Sequence, residues 1–380
     1  MTRSSAVVTL ALLAVGAAAQ AQVAPWQDPA QAIAFETAPE TGLTVAATDL
    51  SQTRIYPRGT LAVIDLRCRL TLENRGAKPV RSVTLAVESQ QNAAGGRASV
   101  AAPSLHAARG ETFSVSLNLR LVRPLPGAAG PLVAVSVDGV LHDDMTFAGP
   151  NRLESQRKLT LLEAEARRDR ERLRLALGQG RNNLQQAALA ILERQSEQPK
   201  LQARLAGGGR TVARAANTDA TTVQLAMLDV AGAPLELVSG EAVVSDASAS
   251  APMIALRNRS SKPVRYYELG WVVADREGRR YSAGVLPSTG GPLSPGASGQ
   301  LPGGRTFEFQ QDGKPLAIGG MSGYVRQVEF ADGSVWTPSL AALESSGVRG
   351  VEPVSAEEQR LAELYRQKGL AALIAELEKF

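Results

Sequence analysis

The chain has 380 residues, one cysteine and two histidines, and its 41 Lys and Arg against 37 Asp and Glu leave a formal net charge of +4. A charge this small and this evenly spread provides no basic tract for a nucleic-acid partner, and the lone Cys68 leaves no internal disulfide. The length suits roughly two to three domains at about 150 residues each.

Residues 1–21 read as a secretory signal: Arg3, an apolar run over residues 6–19, then small residues at Ala19 and Ala21 with cleavage expected after Ala21. The run is shorter than the roughly 20 apolar residues a spanning helix needs. The expected location is periplasmic or secreted, with no stable membrane insertion after cleavage. Residues 22–150 read as a first β domain. In it Ile64, Leu66, Cys68, Leu70 and Leu72 alternate with Asp65, Arg67, Arg69 and Thr71, the period of a half-buried strand. Cys68 falls on the apolar face and is expected to be an inert core thiol.

The stretch LENRGAKPVRSVTLAV at residues 72–87 returns as LRNRSSKPVRYYELGW at residues 256–271, with half the positions identical. Further on, LHDDMTFAGPN at residues 141–151 matches EFADGSVWTPS at residues 329–339. The offsets are 184 at Asn74/Asn258 and 188 at Asp144/Asp332, so the spacing predicts two whole duplicated domains rather than stacked repeats. Within each, Asn74 or Asn258 suits a turn and Pro79 or Pro263 interrupts the ladder before the next strand.

Residues 151–209 read as a helical linker. Asn151 with Glu154 has capping-box spacing, and Leu159, Leu162, Ala166, Leu173 and Leu177 form a helical stripe. The charged run EARRDRERLR reads as a solvated face, although Asp169 falls within the seam. A second amphipathic stretch carries Leu184, Ala188, Ile191 and Leu192. An intermolecular coiled coil is the alternative use of the seam. The sequence AGGGR from Ala206 reads as a flexible linker.

Residues 210–348 read as the second β domain. Tyr267, Leu269, Trp271 and Val273 share a strand face, so Trp271 is expected in the core, and Asp332-Gly333 marks a hairpin turn. Residues 349–380 read as a C-terminal helical segment with a Ser355/Glu358 capping box. Its two apolar stripes, Leu361, Leu364, Tyr365 and then Leu370, Leu373, Ile374, Leu377, are reconciled by a break at Gly369. It is expected to pack on the second β domain.

The segments NRGAKPVRSVTLAV and NRSSKPVRYYELGWVVADREG, an Asn-rich turn before a strand, resemble the Ig-like β-sandwich domains of exported bacterial proteins, including those called FxLYD domains. The resemblance implies binding modules and brings no catalytic residues. The expected architecture is mainly β with a helical insert: two duplicated antiparallel Ig-like β-sandwich domains joined by a helical pair, plus a C-terminal helix or helical hairpin.

No nucleophile elbow, zinc-binding helix motif or phosphate loop occurs. His142 aligns with Phe330, and the aligned turn retains one carboxylate of HDDM, so no metal site is expected there. The sequence therefore points away from an enzyme and from any cofactor. It suggests a noncatalytic interaction or structural protein that binds another periplasmic or envelope protein. The alternative is a carbohydrate-binding module using exposed Tyr266, Tyr281, Tyr324 and Trp336. Ser82 and Ala148 stand at the first-domain places of Tyr266 and Trp336, which confines such a surface to the second domain. Trp336 could instead pack under the C-terminal helix.

Overall fold

The structure, a computed structural model, describes residues 27–89, 96–125, 131–198, 201–206 and 220–380. The expected signal and the glycine-rich stretch from Gly207 lie outside the described residues.

The first unit contains α1 (Pro29–Ala32), β1 (Ile33–Glu36), β2 (Leu43–Asp49), β3 (Arg54–Arg58), β4 (Leu61–Asn74), β5 (Val80–Glu88), β6 (Arg97–Ala102), β7 (Thr112–Pro124), β8 (Val133–His142) and β9 (Phe147–Ala148). Sheet I has the order β1-β8-β5-β6, with β9 on β8. In sheet II the long β4 carries β7 along one side and both β2 and β3 along the other. The period-two pattern of β4 does what it predicts: Ile64, Leu66, Cys68, Leu70 and Leu72 are buried against sheet I, while Arg67 and Arg69 are exposed.

Two helices follow, α2 (Ser155–Gln179) and α3 (Arg181–Glu197). The second unit contains β10 (Leu201–Leu205), β11 (Thr221–Gln224), β12 (Ala226–Met227), β13 (Leu235–Ser245), β14 (Ser248–Ser250), β15 (Met253–Asn258), β16 (Val264–Asp275), β17 (Arg280–Pro287), β18 (Ser298–Leu301), β19 (Thr306–Gln311), β20 (Lys314–Pro315), β21 (Ile318–Phe330) and β22 (Val335–Trp336). Sheet III has the order β10-β19-β14-β13-β15-β18, and sheet IV the order β12-β21-β16-β17. Trp271, Phe309, Leu269 and Val273 lie in their common core. The chain ends in α4 (Leu340–Ser345) and α5 (Ala356–Glu378). The chain is thus mainly β with helices at its centre and end.

The pairing is not wholly antiparallel. β1 runs parallel to β8, and β12 parallel to β21. In each unit the chain leaves this short strand, builds the facing sheet and returns, which supplies the long connection a parallel pair needs.

The sequence repeat is also a repeat of hydrogen bonds. The buried Asn74 Nδ2 donates to Lys78 O at 3.0 Å and to Ala107 O at 2.9 Å. Asn258 Nδ2 donates to Lys262 O and Leu293 O, both at 2.9 Å. Lys78 pairs with Asp144, and Lys262 with Asp332, each at 2.7 Å. Two bulges recur as well. Arg81 and Arg265 are the extra residues at the starts of β5 and β16, and Asp138 and Arg326 the extra residues on β8 and β21. A bulge leaves its residue free of the ladder and re-aims its side chain. Here both Asp138 and Arg326 reach the α2 region, where the candidate site is built.

Candidate functional site

The first bulge sets how α2 begins. Asp138 Oδ1 accepts from Arg152 N at 2.8 Å, Oδ2 accepts from Leu153 N at 3.0 Å, and Ser155 Oγ donates to the same carboxylate. The helix therefore starts at Ser155, not after an Asn151 cap. Asn151 and Glu154 both have a φ of 58°, so the chain turns sharply twice before the helix starts. Asn151 Oδ1 instead accepts from Gln156 N at 2.9 Å.

The charged run of α2 is not a solvated face. Glu163, Asp169 and Arg170 are buried in it. Arg170 Nη2 donates to Glu163 Oε1 at 2.6 Å, and its Nη1 to Glu357 Oε1 and Ser104 Oγ, each at 3.1 Å. Ser104 Oγ in turn donates to Glu357 Oε2 at 2.5 Å, tying the first β unit to α5. Ser355 Oγ, the cap of α5, donates to Asp169 at 2.6 Å. Glu358 completes the expected capping box and is gripped by Arg172, Arg194 and Arg349.

Burial pushes the Glu358 carboxyl up, but the Arg349, Arg194 and Arg172 guanidiniums outweigh it and hold the group below its ordinary range. Burial wins at Asp169, which is raised despite Arg168. One sequence signal foreshadows this burial. Residues 159, 163, 166, 170 and 173 continue one helical stripe, and two of them are charged.

α5 packs on the helical pair rather than on the second β unit. Leu361, Ala362, Leu373 and Leu377 share a core with Leu173 of α2 and Leu184, Ala188 and Ile191 of α3. Gly369, at φ 81°, breaks α5 as its two stripes require, and the break lets both stripes reach that core.

The four expected surface aromatics separate. Tyr281 is 1% exposed, and its hydroxyl bonds Asp275 Oδ2 at 3.0 Å and Gln311 Oε1 at 2.8 Å. Tyr324 is 3% exposed and packs with Val272, Leu343 and Val348. Its ring lies over Gly270, where a Cβ would sit 2.1 Å from the ring. Neither is a surface group: Tyr281 lies in the second core beside Val273, and the α4 cluster covers Tyr324. Trp336 is half-buried and packs against the second core and the α4 cluster, not under α5. Tyr266 is half-buried too, with the Arg157 guanidinium 3.8 Å from its ring centre and its hydroxyl donating to Glu268 at 2.8 Å.

Of the four, only Tyr266 lines the cleft between the two β units. This cleft of about 330 Å³ is bounded by Ser99 and Ala101 of β6, by Arg157, Lys158, Leu161 and Glu165 of α2, and by Tyr266, Glu268, Arg326 and Gln327 of sheet IV. Arg326 lies 3.6 Å from Glu268 and Glu352 and 3.7 Å from Glu165. The cleft's carboxylates are therefore engaged by a guanidinium. Gln327 is 7% exposed, and among the described residues its amide has no side-chain partner. The arrangement offers hydrogen bonds and charge to a ligand, beside the terminal strand of sheet I.

His106 lies 3.7 Å from Asp143, and His142 is buried. Among the described residues no three His, Cys, Asp or Glu side chains gather as a metal site. Cys68 is 3% exposed, and burial pushes its thiol up to about 11. Only the thiolate is reactive, so the native protein is expected to resist a bulky maleimide over hours and to react on addition of denaturant. Rapid labelling of the native form would contradict this placement.

No family model matches the chain, and no curated protein matches it. Among solved structures it is similar to one named pT26-6p, at 10% identity and a TM-score of 0.18, covering 89% of this chain and 73% of the other. It is also similar to red sea bream transglutaminase, at 8% identity and a TM-score of 0.12, covering 72% of this chain and 31% of that one.

Proposed function

We propose that the protein is a noncatalytic, exported interaction protein of the bacterial envelope, built from two duplicated Ig-like domains, and that it binds another envelope protein at the cleft between them. The observation that carries this reading is the use made of the buried charges. Glu163, Arg170 and Glu357 bond one another across α2 and α5, Asp169 accepts from the Ser355 cap of α5, and Glu358 is held by Arg172, Arg194 and Arg349. Such a network supports a fixed relation between two modules rather than chemistry on a substrate.

The cleft then offers a protein partner the terminal strand β6 on one side, with small residues at Ser99 and Ala101. A terminal strand has unpaired backbone groups that an extended segment can complete. The duplication itself is supported by the recurring Asn74/Asn258 and Lys78/Lys262 bonds. Sugar binding is less favoured, because a sugar stacks on an open ring face. Tyr266 carries Arg157 on its ring, and Tyr281 and Tyr324 are buried.

The test is in-cell photocrosslinking from a photoreactive amino acid placed singly at Ser99, Lys158 or Gln327, with Ser298 as a distant control. One discrete adduct from the cleft positions and none from Ser298 is expected. Uniform labelling from all four positions, or none, would remove the cleft from this role. A glycan array that binds the wild type and fails with Tyr266→Ala would favour the sugar reading instead.

A further inference from the structure

The outer face of sheet II is a second surface, and its composition is unlike that of the other sheets. Strand alternation points Arg54 and Arg58 of β3, Arg67 and Arg69 of β4, and Arg120 of β7 away from the core. All five are exposed. Arg120 pairs with Asp65 at 3.4 Å, whereas among the described residues the other four form no ion pair. Asp49 and Asp65 are the acids opposing them on this face, since Glu73 is tied to Arg75 at 3.0 Å. The excess of three positive charges nearly equals the +4 of the whole chain.

The fold does not require these arginines. At the repeat offset, Arg67 and Arg69 correspond to Ala251 and Met253 of the second unit. Nor do the other sheets present such a face. Sheet I is covered by α2 and sheet IV by the α4 cluster. On sheet III, Arg257 stands opposite Glu236.

Apolar side chains border the arginines. Leu61 is 38% exposed and stands opposite Arg58, and Val122 is 48% exposed at the same end of the sheet. Exposed aliphatic groups beside unpaired arginines match the boundary between headgroups and acyl chains. An acidic protein surface would satisfy the charge but would leave Leu61 and Val122 without a use.

We propose that the outer face of sheet II docks the protein on a bilayer rich in anionic phospholipid, as a peripheral contact made by arginine guanidiniums with lipid phosphates and by Leu61 and Val122 at the headgroup boundary. This is independent of the partner cleft, which lies on the other side of sheet I.

The test is partitioning of the full chain onto vesicles of phosphatidylglycerol mixed with phosphatidylcholine, compared with phosphatidylcholine alone, at low salt. The ratio of the two isolates the charge contribution, because the apolar run at residues 6–19 acts on both vesicle types. Each arginine near an anionic surface contributes about fivefold. The combined Arg54→Gln, Arg67→Gln and Arg69→Gln variant is therefore expected to lower that ratio on the order of a hundredfold, with thermal unfolding unchanged. For the wild type, 0.5 M NaCl is expected to abolish the preference without any mutation. A preference absent at low salt, or one that survives the triple substitution, overturns the proposal. So does arginine-dependent binding to polyglutamate without binding to vesicles, which would assign the face to an acidic protein.

Discussion

Glu358→Ala is expected to lower the unfolding free energy by about 3–5 kcal/mol, the scale of removing one partner from a buried ion pair. The carboxylate is 1% exposed and is held by Arg172 at 3.0 Å and by Arg194 and Arg349. Its removal leaves three guanidiniums facing one another, and all three are largely withdrawn from water. It also opens the capping box at the start of α5. The Arg366–Glu363 pair on the same helix is the natural control. Those side chains are 65% and 41% exposed, so Glu363→Ala is expected to leave stability nearly unchanged. Urea denaturation followed by circular dichroism measures both. Equal effects from the two substitutions would mean that the buried network does not hold α5 in place.

The same residue predicts a pH response. Glu357 and Glu358 are held below their ordinary value of 4.5 in the folded state. Their contribution is therefore complete above the unfolded value and is lost as pH falls through the depressed folded value. Glu165 and Asp169 act with the opposite sign. Burial raises both, so their destabilising charge is present above the raised value and is relieved as they protonate. Acid loss in the wild type is thus partly offset, and the Glu358→Gln variant should show a shallower fall in stability below pH 4.5 than the wild type. Melting temperatures measured from pH 7 to pH 3 test the difference in slope.

Some of these features can be read from the sequence and others cannot, for a physical reason. The alternation in β4 fixes which face of Cys68 is buried, because side chains on a strand have only two directions. The NRxxKPVR repeat foretells the matching bonds of Asn74 and Asn258, because the turn and its neighbours are close in sequence. The partner of Arg170 is different: Glu357 lies 187 residues away, and no local pattern names it. A charge within a helical apolar stripe was the available signal, and charge-rich composition hid it. Tyr324 carried a quieter signal. It stands opposite Gly270 in the ladder, and a glycine within a strand marks a place where another group approaches closely. Tyr281 offered no such mark, since it faces the second core beside Val273 and its hydroxyl partner Gln311 lies 30 residues away.

Trp271→Ala is expected to destabilise the second unit by about 3–5 kcal/mol, from lost burial and the cavity left behind. Trp271 is 2% exposed and lies edge-on to Phe307 at 5.7 Å and Phe309 at 5.5 Å, so its ring joins sheet IV to sheet III. Collapse of the surroundings is limited, because Phe309, Leu269 and Val273 are already fully enclosed. Among the described residues the indole Nε1 has no hydrogen-bond partner, so part of the residue's burial is unfavourable. Trp271→Phe removes that orphan donor while keeping a ring between the sheets, and it is expected to cost about 1 kcal/mol. Trp336 provides the contrast. It is half-buried at the border of two clusters, so Trp336→Ala is expected to cost about 1–2 kcal/mol. Chemical denaturation of the three variants fixes the order. If Trp336→Ala proves as damaging as Trp271→Ala, the join between the second core and the α4 cluster is as important to this unit as the contact between its sheets.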